Sequence, residues 1–225
     1  MAFMVIRRGD ASLDEAEQLA RSVPDGRWLH PSSAALRMTR AGDIWQTQEG
    51  PFPADETVAG FAIVDAPSQE AALAWAQGWP TADAEGNAVL EVRETGCPGG
   101  CHGVDSQSPA HLTPYAVLIR SCPKLEADMM PAPGVIERMN ARNAADAQAG
   151  VLLAGDGLKS TAKGARVKFK GGRATVVDGP FTEIKELIAG FWLIQAASRD
   201  EAIAWIKSYP FPWPDAVLEL REVIR

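Results

Sequence analysis

An α+β fold is predicted: two tandem ferredoxin-like units, each βαββαβ with an added hairpin, packed against each other as an internal pseudo-dimer. Two observations carry this prediction. The first is an internal repeat. The stretch "AGFAIVDAPSQEAALAWAQGWP" (59–80) lies over "AGFWLIQAASRDEAIAWIKSYP" (189–210), "VLEVRE" (89–94) recurs as "VLELRE" (217–222), and "FMVIR" (3–7) matches "YAVLIR" (115–120). The phrase "VVDGPFTEIKE" (176–186) has a worn echo in "TQEGPFPADET" (47–57). The second is the order of hydrophobic periods, which reads strand, helix, strand, hairpin, strand, helix, strand in each half.

The elements follow in order along the second copy. "YAVLIR" is a β-rich run, and "GVIERMNARNAADAQ" places Val135, Ile136 and Met139 on one helical stripe. "VLLAG" is a buried strand, and "ARVKFKGGRATVV" alternates on both sides of Gly171-Gly172, the signal of a tight hairpin. "IAGFWLIQA" is aromatic and branched, as strands are. Ser198 with Glu201 forms a capping box ahead of "RDEAIAWIKSY", and "AVLELREV" closes the unit. In the first copy Ser12 and Glu15 make the same box before the first helix. Trp75 and Trp205, at matched places in the second helices, are expected in the core. Between the copies, "TGCPGGCHGVDSQSPAHLTP" is rich in Gly, Pro, Ser and His without apolar periodicity. The units are therefore residues 1–95 and 115–225, joined by a linker at 96–114. A sheet with both helices on one face leaves its other face apolar, so the two sheets are expected to pack face to face, with a small-molecule crevice near the inter-repeat surface.

Composition narrows the function classes. The 225 residues are 46% hydrophobic and 23% charged, with a formal net charge of -7. No apolar run reaches the roughly 20 residues that span a bilayer, and the short apolar patch in "MAFMVIRRGD" precedes its arginines instead of following them. A cytoplasmic protein with neither membrane nor nucleic-acid partners is expected, because an acidic chain lacks the basic footprint that phosphate backbones require. Cys97, Cys101 and Cys122 form no even disulfide framework. Cys97, Cys101, His102 and His111 have the ligand types for zinc but not the usual spacing, so the reading is a linker with two thiols and no metal. No phosphate loop and no nucleophile elbow is present, and any activity is expected to need no cofactor.

The second copy, from "AGVLLAGDGLKS" through Asp178-Gly179-Pro180-Phe181 to "AWIKSYP", resembles the DGPF-domain branch of the YCII-related family. That resemblance implies a ferredoxin-like unit paired into a dimeric α+β barrel. It also implies an unassigned role, some relatives resembling lyases that use a His and an Asp, and others lying beside sigma-factor genes. The branch commonly carries Gly-Leu-His-Pro-Ser before the hairpin. Here the second copy has Lys159 at the histidine position, whereas the degenerate first copy keeps His30, Pro31 and Ser32. Superposing the Gly-Pro-Phe steps puts His30 on Lys159, Arg37 on Arg166, and Glu49 on Asp178.

An imidazole with a carboxylate in hydrogen-bond reach makes an acid/base pair. Two geometries are open: His30 with Glu49 inside the first copy, or His30 with Asp178 across the repeats. Ser32, Lys159, Glu183 and Lys185 complete the candidate site as substrate contacts, Lys185 serving as a cation for an anionic substrate. Each has a plainer reading. His30 and Ser32 shape a turn, Asp178 locks the turn before Gly-Pro, and the Glu183 to Glu186 run is a solvated edge. Arg93 beside Glu91 and Arg221 beside Glu219 suit structural ion pairs. The expected function is a small-molecule pocket supporting lyase- or isomerase-type chemistry on a small acidic molecule. The alternative is a non-enzymatic interaction module linked to sigma-factor regulation, and association into further homo-oligomers is left open.

Overall fold

The computed structural model describes residues 1–96 and 108–225, so Cys97, Cys101 and His102 lie outside the described residues. The first half runs β1 (Ala2–Arg8), α1 (Leu13–Ser22), β2 (Gly26–Trp28), β3 (Leu36–Ala41), β4 (Ile44–Glu49), β5 (Val58–Asp65), α2 (Gln69–Gln77) and β6 (Val89–Glu94). The second runs β7 (Thr113–Arg120), α3 (Pro123–Glu126), α4 (Pro133–Gln148), β8 (Leu152–Gly157), β9 (Ala165–Lys170), β10 (Arg173–Asp178), β11 (Ile188–Ala196), α5 (Arg199–Ser208) and β12 (Asp215–Glu222). The expected order appears in both halves, with α3 added and β7 starting two residues inside the stretch read as linker.

Two antiparallel six-stranded sheets result, ordered β10-β9-β6-β1-β5-β2 and β4-β3-β12-β7-β11-β8. Each half gives its hairpin to the other half's sheet. Hairpin β3-β4 pairs with β12 through Leu36↔Leu220 and Arg37↔Glu219, and hairpin β9-β10 pairs with β6 through Leu90↔Val167 and Glu91↔Arg166. Without the exchange, β6 and β12 would be sheet edges with unpaired backbone groups and a buried glutamate apiece. Gly171 and Gly172, both at positive φ (55° and 78°), make the β9-β10 turn that the sequence signals.

The inner faces of the two sheets share one apolar cluster. Met4, Ile6 and Phe61 come from the first half, Leu118, Phe191 and Leu193 from the second. The Phe61 and Phe191 rings sit 4.8 Å apart, centroid to centroid. The helices cover the outer faces. Ala16, Leu19, Ala72 and Ala76 of α1 and α2 pack on the first sheet; Ala202, Trp205 and Ile206 of α5 pack on the second. The Ser12 box is complete, Ser12 Oγ accepting from Glu15 N–H (3.3 Å) and Glu15 accepting from Ser12 N–H (2.8 Å). At α5, Ser198 Oγ accepts from Glu201 N–H, but the Glu201 carboxylate takes the N–H of Ala197 instead of closing the box.

Two expectations need correction. In strand register Arg8, not Arg7, matches Arg120: Arg8 faces Val58 as Arg120 faces Ile188, while Arg7 and Ile119 both face the central glycines Gly60 and Gly190. Trp205 is buried as expected, but Trp75 is 38% exposed. Trp79 takes the inner position in the first half, and Trp75 meets it only edge-on at 5.9 Å.

Candidate functional site

The repeated final strand carries a glutamate and an arginine that point the same way, two residues apart. On β12, Glu219 is buried among three arginines: Arg221 at 3.0 Å, Arg37 from the exchanged hairpin at 3.0 Å, and Arg120 from β7 at 3.1 Å. On β6, Glu91 meets Arg93 at 3.0 Å and Arg166 of the exchanged hairpin at 2.9 Å. Arg8, the register match of Arg120, is 3.6 Å from Glu186. Burial pushes Arg120 down to about 10 while Glu219 pulls it back up. Burial raises the Glu219 carboxyl, and Arg120, Arg221 and Arg37 together more than reverse this, holding it below the usual carboxylate range. The ion pairs expected from Arg93-Glu91 and Arg221-Glu219 are thus nodes of two matched networks that lock the exchanged hairpins.

The repeated Gly-Pro-Phe phrase belongs to the same networks. The Arg37 guanidinium lies 3.9 Å over the Phe52 ring and Arg166 lies 4.1 Å over Phe181. A Cβ on Gly50 would come within 1.8 Å of Ser32 O, and one on Gly179 within 1.8 Å of Thr161 O, so only glycine fits. The turns beneath are held alike. Asp10 accepts from Ser32 N–H (3.0 Å) and from its hydroxyl, and Glu126 accepts from Thr161 N–H (2.9 Å) and hydroxyl (2.6 Å).

His30 and Lys159 occupy matched positions, as the superposition anticipates. His30 N–H donates to Glu222 O (2.9 Å) and Lys159 N–H to Glu94 O (3.0 Å). Their carbonyls accept from Arg221 Nε (3.1 Å) and Arg93 Nε (2.7 Å). The imidazole Nε2 lies 3.8 Å from Glu222 Oε1, and Lys159 Nζ lies 3.3 Å from Glu94 Oε1. His30 is therefore not brought into ion-pair contact with Glu49 or Asp178. Glu49 ends β4, a full strand beyond β12, and pairs at 2.7 Å with Arg199. Asp178 ends β10 in the other sheet, opposite Ala165, and is exposed. Glu222 is the carboxylate that sequence reasoning passed over; its signal was the terminal Glu shared by "VLEVRE" and "VLELRE". Ser32 is buried on Asp10, Glu183 and Lys185 are exposed, and Glu186 is the member of that run that reaches Arg8 and Arg166.

A cavity of about 570 Å³ opens elsewhere, between the outer face of the second sheet and the segment 121–139. Leu125, Met129, Met130, Ile136 and Met139 form its outer wall, while Ile119, Trp192, Phe211 and Trp213 line the rest. Lys159 is the one residue of the expected site that borders it, and His30 does not. Thr39, Arg40 and Ala41 of the exchanged hairpin also contribute, so the pocket draws on both halves, although it lies on an outer face and not between the sheets.

The family model of the YCII-related domain matches residues 27–95 and again 113–225. The chain belongs to the YCII-related family. An uncharacterised protein of Rhizobium meliloti is 46% identical over 46 residues, 20% of this chain and 37% of the relative's length. The chain therefore spans well under half of the curated relative that it matches.

The two YCII-related repeats differ most where the cavity lies. Gly60 is flanked across the sheet by Trp28 and Arg7, whereas Gly190 is flanked by Gly157 and Ile119. In the first repeat Arg7 forms a buried ion pair with Asp83 at 2.9 Å, Asp83 also accepts from Trp79 Nε1 at 2.8 Å, and Trp28 donates to Val23 O at the end of α1. In the second repeat the matched places hold Gly157 and Ile119, both on the cavity wall. Trp192 opposite Gly155 recovers part of the Trp28 volume; its Cδ1 lies 2.6 Å from where a Gly155 Cβ would stand. The strand-to-helix connection, residues 9–12 in the first repeat, is residues 121–132 in the second and includes α3.

Proposed function

We propose that this YCII-related protein binds a small organic molecule in the outer cavity of its second repeat. The observation that carries the reading is the contrast between repeats: the same face is closed by Trp28 and Arg7-Asp83 in one and open in the other. The volume falls in the range of ordinary ligand sites, about 300–1,000 Å³, and the mixture of apolar wall and few polar groups is typical of them. Three methionines suit the wall to an adaptable fit, because the unbranched thioether repacks easily. We read the architecture as two ferredoxin-like units fused into a pseudo-dimer of the dimeric α+β barrel type. The exchanged hairpins and shared inner core support this, and Asp178-Gly179-Pro180-Phe181 supports placing the second repeat in the DGPF branch. Because His30 does not line the cavity, the binding reading stands without the acid/base step expected from sequence.

Titration with anilinonaphthalene sulfonate tests it. One probe per chain is expected to bind with fluorescence enhancement, and the Ile136→Trp, Met139→Trp double variant, which fills the cavity from α4, is expected to abolish binding while far-UV circular dichroism stays unchanged. Undiminished binding by that variant would overturn the proposal.

A further inference from the structure

The exchanged hairpins bring unlike residues to the two outer faces. Hairpin β9-β10 gives the closed face Val167 and Phe169, both buried in its core, with Ala174 packed on that core. Hairpin β3-β4 gives the open face Met38, Arg40 and Trp45 at the matched positions. The register is the same in both: Arg40 lies across from Ala216 of β12 and Trp45 of β4, while Phe169 bonds to Ala88 O and lies across from Ala174 of β10. A guanidinium therefore stands where the closed face buries a phenyl ring.

The two-residue period of the strand sets its direction. Leu36 and Met38 are buried in the outer-face core of the second sheet, so Arg40, next in that row, projects from the same face. It borders the cavity and is only half-buried. The other cations of the lining are paired: Arg120 with Glu219 at 3.1 Å, Lys159 with Glu94 at 3.3 Å and Lys163 with Asp128 at 2.6 Å. Arg40 donates through Nε to Gly42 O at 2.7 Å and lies 5.8 Å from the Trp45 ring. Among the described residues it forms no ion pair, and its two Nη groups meet no acceptor. Of the lining carboxylates, Lys163 takes Asp128, and Asp156 is in register with Phe191 of the inner core, on the far side of the sheet. Asp215, one register step from Arg40, is exposed.

We infer that Arg40 anchors an organic acid: the ligand's carboxylate accepts from the two Nη groups, and its apolar body fills the space lined by Ile119, Met139, Trp192 and Phe211. This rests on the cavity being the binding site. The anchor comes from the first repeat and the apolar wall from the second, so the site is complete only because the hairpin crosses between sheets.

Two near-isosteric probes, 2-naphthoate and the neutral 2-naphthamide, are titrated calorimetrically against wild type, Arg40→Gln and Arg40→Lys. Naphthoate is expected to bind wild type about tenfold more tightly than naphthamide. Arg40→Gln should remove that margin by weakening naphthoate, with naphthamide little changed, which also shows that the variant is folded. Arg40→Lys keeps the charge without the fork and should recover part of the margin; it gives the same reading if Arg40→Gln does not fold. Equal affinity of the two probes for wild type, or a margin that survives in Arg40→Gln, overturns the inference and leaves the cavity reading intact. Failure of both probes to bind wild type overturns the cavity reading itself.

Discussion

The outer faces of the two sheets began as copies and now do opposite things. On the first, α1 lies directly on the strands: Ala16 and Leu19 are buried, Trp28 fills the space beside Gly60, and Arg7-Asp83 completes the seal. On the second, α4 is longer, yet Asn143 is its buried residue, and a cavity lies between the helix, the 121–132 connection and the sheet. The inner layers, by contrast, have hardly diverged. Both buried glutamates keep their arginines, both Gly-Pro-Phe steps keep their cation over the ring, and both turns keep a carboxylate on the hydroxyl residue. A fused pair shares one inner core, so a change there disturbs both halves, whereas each outer face packs only on itself and varies alone.

The largest effect is expected from the conserved layer. Glu219→Ala leaves the buried Arg120 and Arg221 and the half-buried Arg37 without their common partner and should cost about 3–5 kcal/mol, with Glu91→Ala similar, as read by urea denaturation. A much smaller loss at either site would mean that the networks are not equivalent. The Glu219 carboxyl is held below its unfolded value, so its contribution is complete above the unfolded pKa of about 4.3 and disappears as pH falls through the folded one. Glu219→Gln should flatten that acid limb of the stability curve.

Next come the outer faces. Trp28→Ala removes a fully packed indole and should cost about 3–5 kcal/mol, whereas Met139→Ala on the cavity wall should cost about 1 kcal/mol or less because its neighbours are already loosely packed. Thermal denaturation of the two variants side by side measures the asymmetry, and equal losses would contradict an open second face. The smallest effect belongs to Glu49→Gln. Its ion pair with Arg199 is largely exposed, and its loss should change stability by about 0.5 kcal/mol or less.

Local pattern made much of this legible. The repeat, the order of elements, the Gly171-Gly172 turn, the Ser12 box and the Arg93-Glu91 and Arg221-Glu219 pairs all depend on residues close in sequence, where periodicity and side-chain chemistry act directly. The site was less legible. Superposition set His30 opposite Lys159, as their matched backbone hydrogen bonds have it, whereas the pairing of His30 with Glu49 or Asp178 rested on what each copy had lost and required a reach that sequence does not give. Their strands end in different places, and the imidazole faces Glu222 instead. The cavity had no positive signal, because it is written as small residues and a lengthened connection.

By itself the amino-acid order determined that two α+β units would form and that each would have one face to bury, since hydrophobic period and capping act within a few residues. Only the tertiary structure decided that the hairpins cross between sheets, because an exposed strand edge and a buried glutamate in one half are satisfied by backbone and arginine from the other. It likewise decided which outer face is open: the cavity is bounded by Gly157, Ile119, Trp213 and α4 together, residues that are distant in sequence and meet only once the sheet is assembled.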